Sequence, residues 1–410
     1  MSLSGLRRLC ASSLGAFVLD RTEMTFGDLG ELFDGPHATP TRTPEGPYFL
    51  NISSLIDGRL DLDQSDHVSE VDFAKWTRRV TPKAEDLLFS YETRLGDVAL
   101  MPPSVEACLG RRMALLRPNR AVVEPAFLLY FYLSPVFQDL IATHTIHGAT
   151  VNRIGLSTMP AWPIAIPSLL EQRAIAEVLG ALDEKISINV KFAKVADVYL
   201  AAELDVLIPG RNIDVPLATI ASTNSLTRQP ISGAKIRYVD IAAVGVGTHI
   251  VPEPIEWDDA PGRARRGLRH GDTLWSTVRP NRRSHSLNLS NDRDLVGSTG
   301  LAVLTPTNVG FAYLYEVTKR ADFTSYLETV AEGSAYPAVR ADRFGEAQVP
   351  LLPEGQRAAF ESMAAPMREH LHSLSQENIQ LAATRDALLP QLMSGKLRVK
   401  DAEKSLAGVL

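Results

Sequence analysis

Over the first 166 residues, apolar positions come in short runs broken by Gly, Pro, Asn and Asp. Short apolar runs bounded by turn formers read as strands. Strands are predicted at residues 48–52, 87–91, 112–116 and 162–166, and the pattern returns at 236–241, 273–278 and 301–304. Pro125-Ala-Phe-Leu-Leu-Tyr-Phe-Tyr-Leu133 predicts a helix with Pro in its first turn, where no intrahelical N–H is needed.

From Glu171 to about Leu207 the pattern changes. No proline occurs, and Ile175, Leu179, Leu182, Ile186, Asn189, Ala193, Ala196 and Leu200 alternate spacings of four and three. Phe360, Ala364, Met367, Leu371, Leu374, Asn378, Leu381, Arg385, Leu388 and Leu392 do the same. A mean period of 3.5 is a coiled-coil seam. Asn189 and Asn378 sit on the two seams. There they either fix register from a buried position or lie exposed at a seam edge. Pro366 is expected to kink or delay the second helix.

These periods predict a mixed α/β (α+β) chain of two similar globular domains separated by two long helices that form an antiparallel coiled coil. The expected boundaries are an N-terminal segment at 1–25, a domain at 26–166, a helix at 167–210, a domain at 211–350, and a helix and tail at 351–410. The helices would hold the two domains at opposite ends.

The chain is also written twice. Gly27–Leu32 answers to Pro216–Ala221 and Phe49–Ile52 to Tyr238–Ile241, both at an offset of 189. Asp86-Leu-Leu-Phe-Ser90 answers to Asp272-Thr-Leu-Trp-Ser276 at 186, and Gln172-Arg-Ala174 to Gln356-Arg-Ala358 at 184. Ordered matches at a nearly constant offset mark a duplicated module, far longer than a solenoid repeat.

Composition narrows the class. With 410 residues, 45% of them hydrophobic and 22% charged, the chain is globular and long enough for more than one domain. Cys10 and Cys108 are its two cysteines, too few for a disulfide framework or a four-cysteine zinc site. Arg7-Arg8 and the following Leu9–Leu19 faintly resemble a signal peptide, but Ser12, Ser13 and Gly15 interrupt the run, and a capped N-terminal helix is expected. There is no apolar run of 18 residues, so no membrane contact is expected and the protein is read as cytoplasmic.

A search for catalytic motifs returns near misses. Ser394-Gly395-Lys396 lacks the upstream glycine and the hydroxyl of a phosphate-binding loop. It reads instead as a helix end capped by Gly395. His144 and His147 have no ligand companions close by in sequence and read as loop residues. No zinc-protease, serine-hydrolase or dinucleotide motif occurs. The chain therefore reads as a recognition and scaffolding protein with no cofactor of its own.

Lys plus Arg is 42 against 48 Asp plus Glu, a net charge of −6, which by itself argues against nucleic acid. Divided by region, residues 1–166 carry −4 and 167–210 carry −3, whereas 211–350 carry +1. Arg263, Arg265, Arg266, Arg269, Arg279, Arg282 and Arg283 face only Asp272 within 21 residues. The two globular domains hold 27 Arg and 4 Lys. Arginine's planar fork matches phosphate and the guanine edge in a way lysine cannot.

Candidate contacts follow from placement. Arg279-Pro-Asn281-Arg282-Arg283-Ser-His285 leaves the strand Leu274–Val278 as a loop bearing three Arg, Asn and His, and Thr93-Arg94 takes the same place in the first copy. A second pair of loops precedes each long helix: Gly148–Arg153, with Asn152 and Arg153, and Gly333–Arg340, with Tyr336 and Arg340. The DNA-binding candidates are thus Thr93, Arg94, Asn152, Arg153, Arg279, Asn281, Arg282, Arg283, Tyr336 and Arg340. The coiled-coil and partner candidates are Gln172, Ile175, Leu179, Leu182, Ile186, Asn189, Leu371, Leu374, Asn378, Leu381 and Leu388.

These residues carry a family resemblance. Pro167–Ile186, with Glu171-Gln172-Arg173, resembles the central helix of type I restriction–modification specificity subunits. Leu381–Val399, with Leu388-Leu389-Pro390 and Ser394-Gly395, resembles their C-terminal end. Asp86–Ser90 with Gly96–Leu100, and Gly271–Ser276 with Val296–Gly300, resemble the cores of their target recognition domains. Gly355 departs from the second Glu-Gln-Arg element, and Pro366 interrupts the second helix.

The resemblance implies one half-site of a bipartite double-stranded DNA sequence per domain, with the spacer set by the coiled coil. It implies as partners two modification methyltransferase subunits, which methylate adenine, and a motor–nuclease restriction subunit. S-adenosylmethionine, ATP and magnesium would belong to those partners. Two other readings stay open: a coiled-coil scaffold that binds only protein, and a DNA-modifying enzyme with a scattered site.

Overall fold

A computed structural model describes residues 21–148, 150–208 and 213–406. The expected N-terminal helix at residues 7–19 lies outside them. The chain divides into two units: residues 1–187 with 378–410, and residues 188–377.

In the first unit, Gly30–Asp34, Met113–Pro118, Leu87–Ser90 and Val98–Leu100 form a four-stranded antiparallel sheet in that order. The second unit repeats it with Ala221–Thr223, Leu301–Pro306, Asp272–Ser276 and His285–Asn288. Each unit adds a second sheet with one parallel pair, three-stranded in the first unit and four-stranded in the second: Arg42–Leu50 beside Ala107–Leu109, and Lys235–Val239 beside Leu295–Ser298. Each is closed by a two-stranded ribbon, Thr22–Thr25 with Pro163–Ile166 and Ile213–Pro216 with Gln348–Leu351. The duplication read from scattered short matches is therefore a duplication of topology.

The strand core Leu87–Ser90 is fully buried, as is Asp272–Ser276. The buried acid opening each element makes the same turn. Asp86 accepts the Lys83 N–H at 2.8 Å, and Asp272 accepts the Arg269 N–H at 2.7 Å. Asp86 is offset by a bidentate pair with Arg117 at 3.0 and 2.7 Å. Asp272 accepts the Thr305 hydroxyl at 2.6 Å, and burial raises its pKa.

Leu169–Leu207 and Glu354–Ser394 are the two long helices. Pro366 does not delay the second one, which starts twelve residues earlier and runs unbroken through it. Pro366 is exposed, so the carbonyl left without an N–H partner can turn to water. The helix stops at Ser394, and Gly395 takes φ 73°, the left-handed conformation of a glycine that ends a helix.

Both helices enter the core of each unit. In the first, Ile175, Leu179, Leu182, Leu381, Leu388 and Leu392 join Phe26, Phe127, Phe137 and Trp162 in one buried cluster, with Ile186 packed against it. In the second, Leu200, Leu204, Phe360 and Ala364 join Trp275, Tyr313 and Phe323. Each such side chain contributes roughly 1.5–3 kcal/mol on burial. The pairs Asn189–Glu377 at 2.7 Å and Asp197–Arg368 at 2.7 Å run in opposite chain directions, so the helices pack antiparallel in the second unit. Asn189 is buried rather than at a seam edge, whereas Asn378, Leu371 and Leu374 are half-buried.

The glutamine of the Glu-Gln-Arg element has a structural task. Gln172 is buried, donates to the carbonyls of Val122 at 3.2 Å and Pro167 at 2.9 Å, and accepts the Glu124 N–H at 2.9 Å. It thus fixes the start of the helix Pro125–Leu133. In the second unit the helix Phe311–Lys319 receives Glu361, whose carboxylate accepts the Ala312 and Tyr313 N–H groups at 3.1 and 2.8 Å. A carboxylate there satisfies orphan donors and complements the helix dipole.

A balanced charge cluster lies at the second unit's helix contact. Arg368 bonds Glu316, whose side chain is wholly buried, and Asp197, while Lys319 reaches Asp197 at 2.6 Å and Glu316 at 2.9 Å. The Arg368 guanidinium also lies 4.8 Å from the centre of the Tyr315 ring. Removing one partner of a buried pair strands the other charge. Arg368→Ala is expected to destabilise this unit by about 3–5 kcal/mol, read as a lowered denaturant midpoint. The Glu316→Gln, Arg368→Met double variant should recover part of that loss.

Candidate nucleic-acid interface

The candidate site is the turn that leaves the central strand of each sheet. Its backbone is the same in both units. Ser90 Oγ donates to the Glu92 carbonyl at 2.9 Å, and Ser276 Oγ to the Val278 carbonyl at 3.0 Å. These bonds bend the chain out of the sheet two residues before the predicted strand 273–278 ends. The freed segment pairs with the second loop instead. Thr93 N–H donates to the Asn152 carbonyl at 3.2 Å, and Ile154 N–H to the Tyr91 carbonyl at 2.8 Å. Likewise Arg279 N–H donates to Pro337 at 2.7 Å, and Val339 N–H to Thr277 at 2.8 Å.

Thr93 and Arg279 occupy the same step of this turn, and both have positive φ, 73° and 53°. For residues with a side chain this conformation costs of order 1–3 kcal/mol and persists only where the surroundings enforce it. Here two cross-loop hydrogen bonds enforce it. Arg283 is also left-handed, at φ 54°, so a 3-10 turn at Pro280–Arg282 is clamped between two strained arginines.

The candidates from the second copy gather on this frame. The Arg279 guanidinium lies 4.6 Å from the centre of the Tyr336 ring, and Tyr336 is 69% exposed. Such a pair holds a cation and an aromatic face toward solvent. Asn281 and Arg282 are exposed, and their side chains make no hydrogen bond or ion pair among the described residues. Arg283 is tied down by the Lys319 carbonyl at 2.8 Å, and Arg340 by Glu332 at 3.2 Å.

In the first copy Thr93, Arg94, Asn152 and Arg153 are also brought together and exposed. Arg153 lies across from Glu92 in a backbone bridge. Arg94 is a strut: it donates to the Ile52 and Leu55 carbonyls at 3.1 Å each and pairs with Asp97 at 2.5 Å. Asn152 Oδ1 lies 3.3 Å from His147 Nδ1. His144 is not a loop residue. It ends the helix Pro135–His144, with its ring 4.7 Å from Trp162.

Sequence reading missed Arg112, at φ 72° and 3.3 Å from Glu92, because nothing in the motif spacing announces a strained arginine in the turn that leads into the strand Met113–Pro118. His285, expected on the loop with the arginines, instead opens the strand His285–Asn288 and is buried. This ring stacks on Trp275 at 4.7 Å, and its Nδ1 lies 2.6 Å from the Arg283 carbonyl. Burial lowers its pKa to about 4. Among the described residues no group of three His, Cys, Asp or Glu is arranged to hold a metal.

Fold and turn together define a duplicated module: one frame presented twice, bearing different side chains. Residues 60–194 match the family model for the type I restriction modification DNA specificity domain. The type I restriction enzyme MjaX specificity subunit of Methanocaldococcus jannaschii is 30% identical over 164 residues, 37% of this chain and 37% of that protein. The chain therefore aligns with little more than a third of that relative's length. The crystal structure of a type-I restriction-modification system S subunit from M. genitalium matches with a TM-score of 0.59 at 17% identity, covering 93% of this chain and 98% of that one. The chain is thus similar in sequence to type I restriction–modification specificity subunits over residues 60–194, and similar in fold to one S subunit over most of its length.

His285 gives this unit a pH dependence of known sign. Its pKa drops from 6.5 in the open chain to about 4 when folded. Between those values the unfolded chain binds the proton and the folded one does not. Stability should therefore fall as pH is lowered from about 6.5 to 4 and be insensitive to this group above that window. Denaturant midpoints across the window should decline less for His285→Gln than for the parent.

Proposed function

We propose that the protein is the specificity subunit of a type I restriction–modification complex and that it binds a bipartite double-stranded DNA sequence. The observation that carries this is the arginine-bearing turn, built on the same strained backbone in both copies. In this reading residues 26–166 and 211–350 each read one half-site. The first uses Thr93, Asn152 and Arg153 on a turn braced by Arg94. The second uses Arg279, Asn281, Arg282 and Tyr336, braced by Arg283 and Arg340. Base edges would be met by the unpaired forks and amides, and phosphates by the remaining cations.

The helices at 167–210 and 351–410 set the spacer and dock two modification methyltransferase subunits, with a motor–nuclease restriction subunit joining the complex. S-adenosylmethionine, ATP and magnesium serve those partners, and this chain supplies recognition without catalysis, in the cytoplasm. Docking is supported by a second heptad face on the first helix. Ile188, Phe192, Val195, Tyr199 and Val206 recur at spacings of four, three, four and seven and are 44–77% exposed. A solvated helix seldom keeps such a stripe without a partner.

Mapping methylated adenines in the host with and without this gene tests the reading: loss of one split motif is the expected result. Inserting one heptad next to Asn189 should lengthen the spacer and leave both half-sites as they were. A change inside a half-site would defeat the division of labour. Val195→Asp should leave the melting temperature within a few degrees of the parent yet weaken association with the modification subunit at least tenfold, measured by calorimetry.

A further inference from the structure

The first copy carries few free cations on its turn, since Arg94 is spent as a strut. Beside that turn, within the same unit, lies a cavity of about 490 Å³ walled by Arg42, Asn51, Gln64, Asp66, Arg111 and Arg112. It is part of the turn's own framework. The Arg94 fork holds the carbonyl of Ile52 in the cavity wall, Arg112 pairs with Glu92, and the Tyr91 N–H donates to the Arg112 carbonyl at 3.1 Å.

The charges in this cavity are sorted into spent and free. Asp66 is neutralised by Arg42 at 3.1 Å, and Glu92 by Arg112 at 3.3 Å. Asn51 is occupied as a cap, accepting the Ser53 N–H at 2.7 Å. Arg111 and Gln64 are exposed, and their side chains make no hydrogen bond or ion pair among the described residues. A free fork donor and a free amide, next to a carboxylate, suit a ligand edge that offers both donors and acceptors. A phosphate offers acceptors only and would meet Asp66. Arginine matches guanine O6 and N7, and glutamine matches adenine N6 and N7.

The duplicated frame sharpens the point. Tyr91 N–H to Arg112 and Thr277 N–H to Gly300 are the same bond in the two units, and Asn51 caps its turn as Asp240 does by accepting the Ala243 N–H at 2.8 Å. Where the first copy has Arg111-Arg112, the second has Thr299-Gly300. The frame is kept while the cations move: beside the cavity in one copy, onto the turn at Arg279–Arg283 in the other.

We propose that this cavity is a further base-reading site of the first domain, beside its turn, with Arg111 and Gln64 contacting base edges of duplex DNA. The proposal rests on the DNA-recognition reading above. The test is methylation mapping on a random-sequence DNA library by the complex with its modification subunits, for the parent, Arg111→Ala, Gln64→Ala and Arg111→Lys. Each alanine variant should relax one position of one half-site, losing about five- to a hundred-fold discrimination there, with the other half-site unchanged. Arg111→Lys keeps the charge but loses the fork, and should relax the same position while retaining affinity. An unchanged motif, or a uniform affinity loss with a shallower salt dependence that lysine restores, overturns the site and marks a phosphate contact. If the parent complex methylates no split motif, the DNA-recognition reading fails and takes this site with it.

Discussion

Neither unit closes its core from its own globular segment. Each needs side chains from both long helices, which are far apart in the chain. Leu179 and Leu182 meet Leu388 and Leu392 in the first unit's cluster, and Leu200 and Leu204 meet Phe360 and Ala364 in the second's. The same helices also send polar side chains inward to finish an internal helix, Gln172 in one unit and Glu361 in the other. A buried helix start without such a partner would leave several N–H groups unpaired. The seam residues are therefore part of each unit's core as well as a link along the chain.

The turns draw on that rigidity. A left-handed threonine or arginine is unfavourable taken alone, and a flexible loop would relax it. Thr93 and Arg279 stay there because the sheet strand behind them is wholly buried and the second loop hydrogen-bonds them from the front. Arg283, Arg340 and Arg94 spend their charges on carbonyls or carboxylates nearby. An arginine so used is not free for a ligand, but it holds its neighbour in a narrow geometry, as a preorganised contact would require. The division into struts and free forks is visible only once contacts are known.

The large-scale plan was legible in the sequence because it is periodic. Alternating spacings of four and three announced both long helices, and Ile175, Leu179, Leu182, Leu381 and Leu388 are buried in the structure as that spacing implies. The helix Pro125–Leu133 has the bounds its composition suggested. What escaped was aperiodic. Pro366 looked like a break, yet it lies on the exposed side of the helix, where a missing N–H costs little. The strand predicted to reach Val278 stops at Ser276 because one hydroxyl bond redirects the backbone. Arg112 carries no motif, and His285, expected on the loop, is buried in a strand; both owe their roles to neighbours outside their local pattern.

Net charge illustrates the same difference of scale. A value of −6 describes a chain, and recognition is exercised by a few groups. In the first unit most cations near the turn are cancelled in pairs: Arg42 with Asp66, Arg112 with Glu92, Arg94 with Asp97. Cancelled pairs add little to long-range attraction, which depends on unbalanced charge, yet each fixes a side chain in place. On the proposed reading, a surface built this way would attract DNA weakly from a distance and discriminate on contact, because an unpaired fork such as Arg111 or Arg282 would lose its solvent only when the matching edge replaced it. Nonspecific DNA, which competes through phosphates, would find little to hold on a mostly neutralised surface.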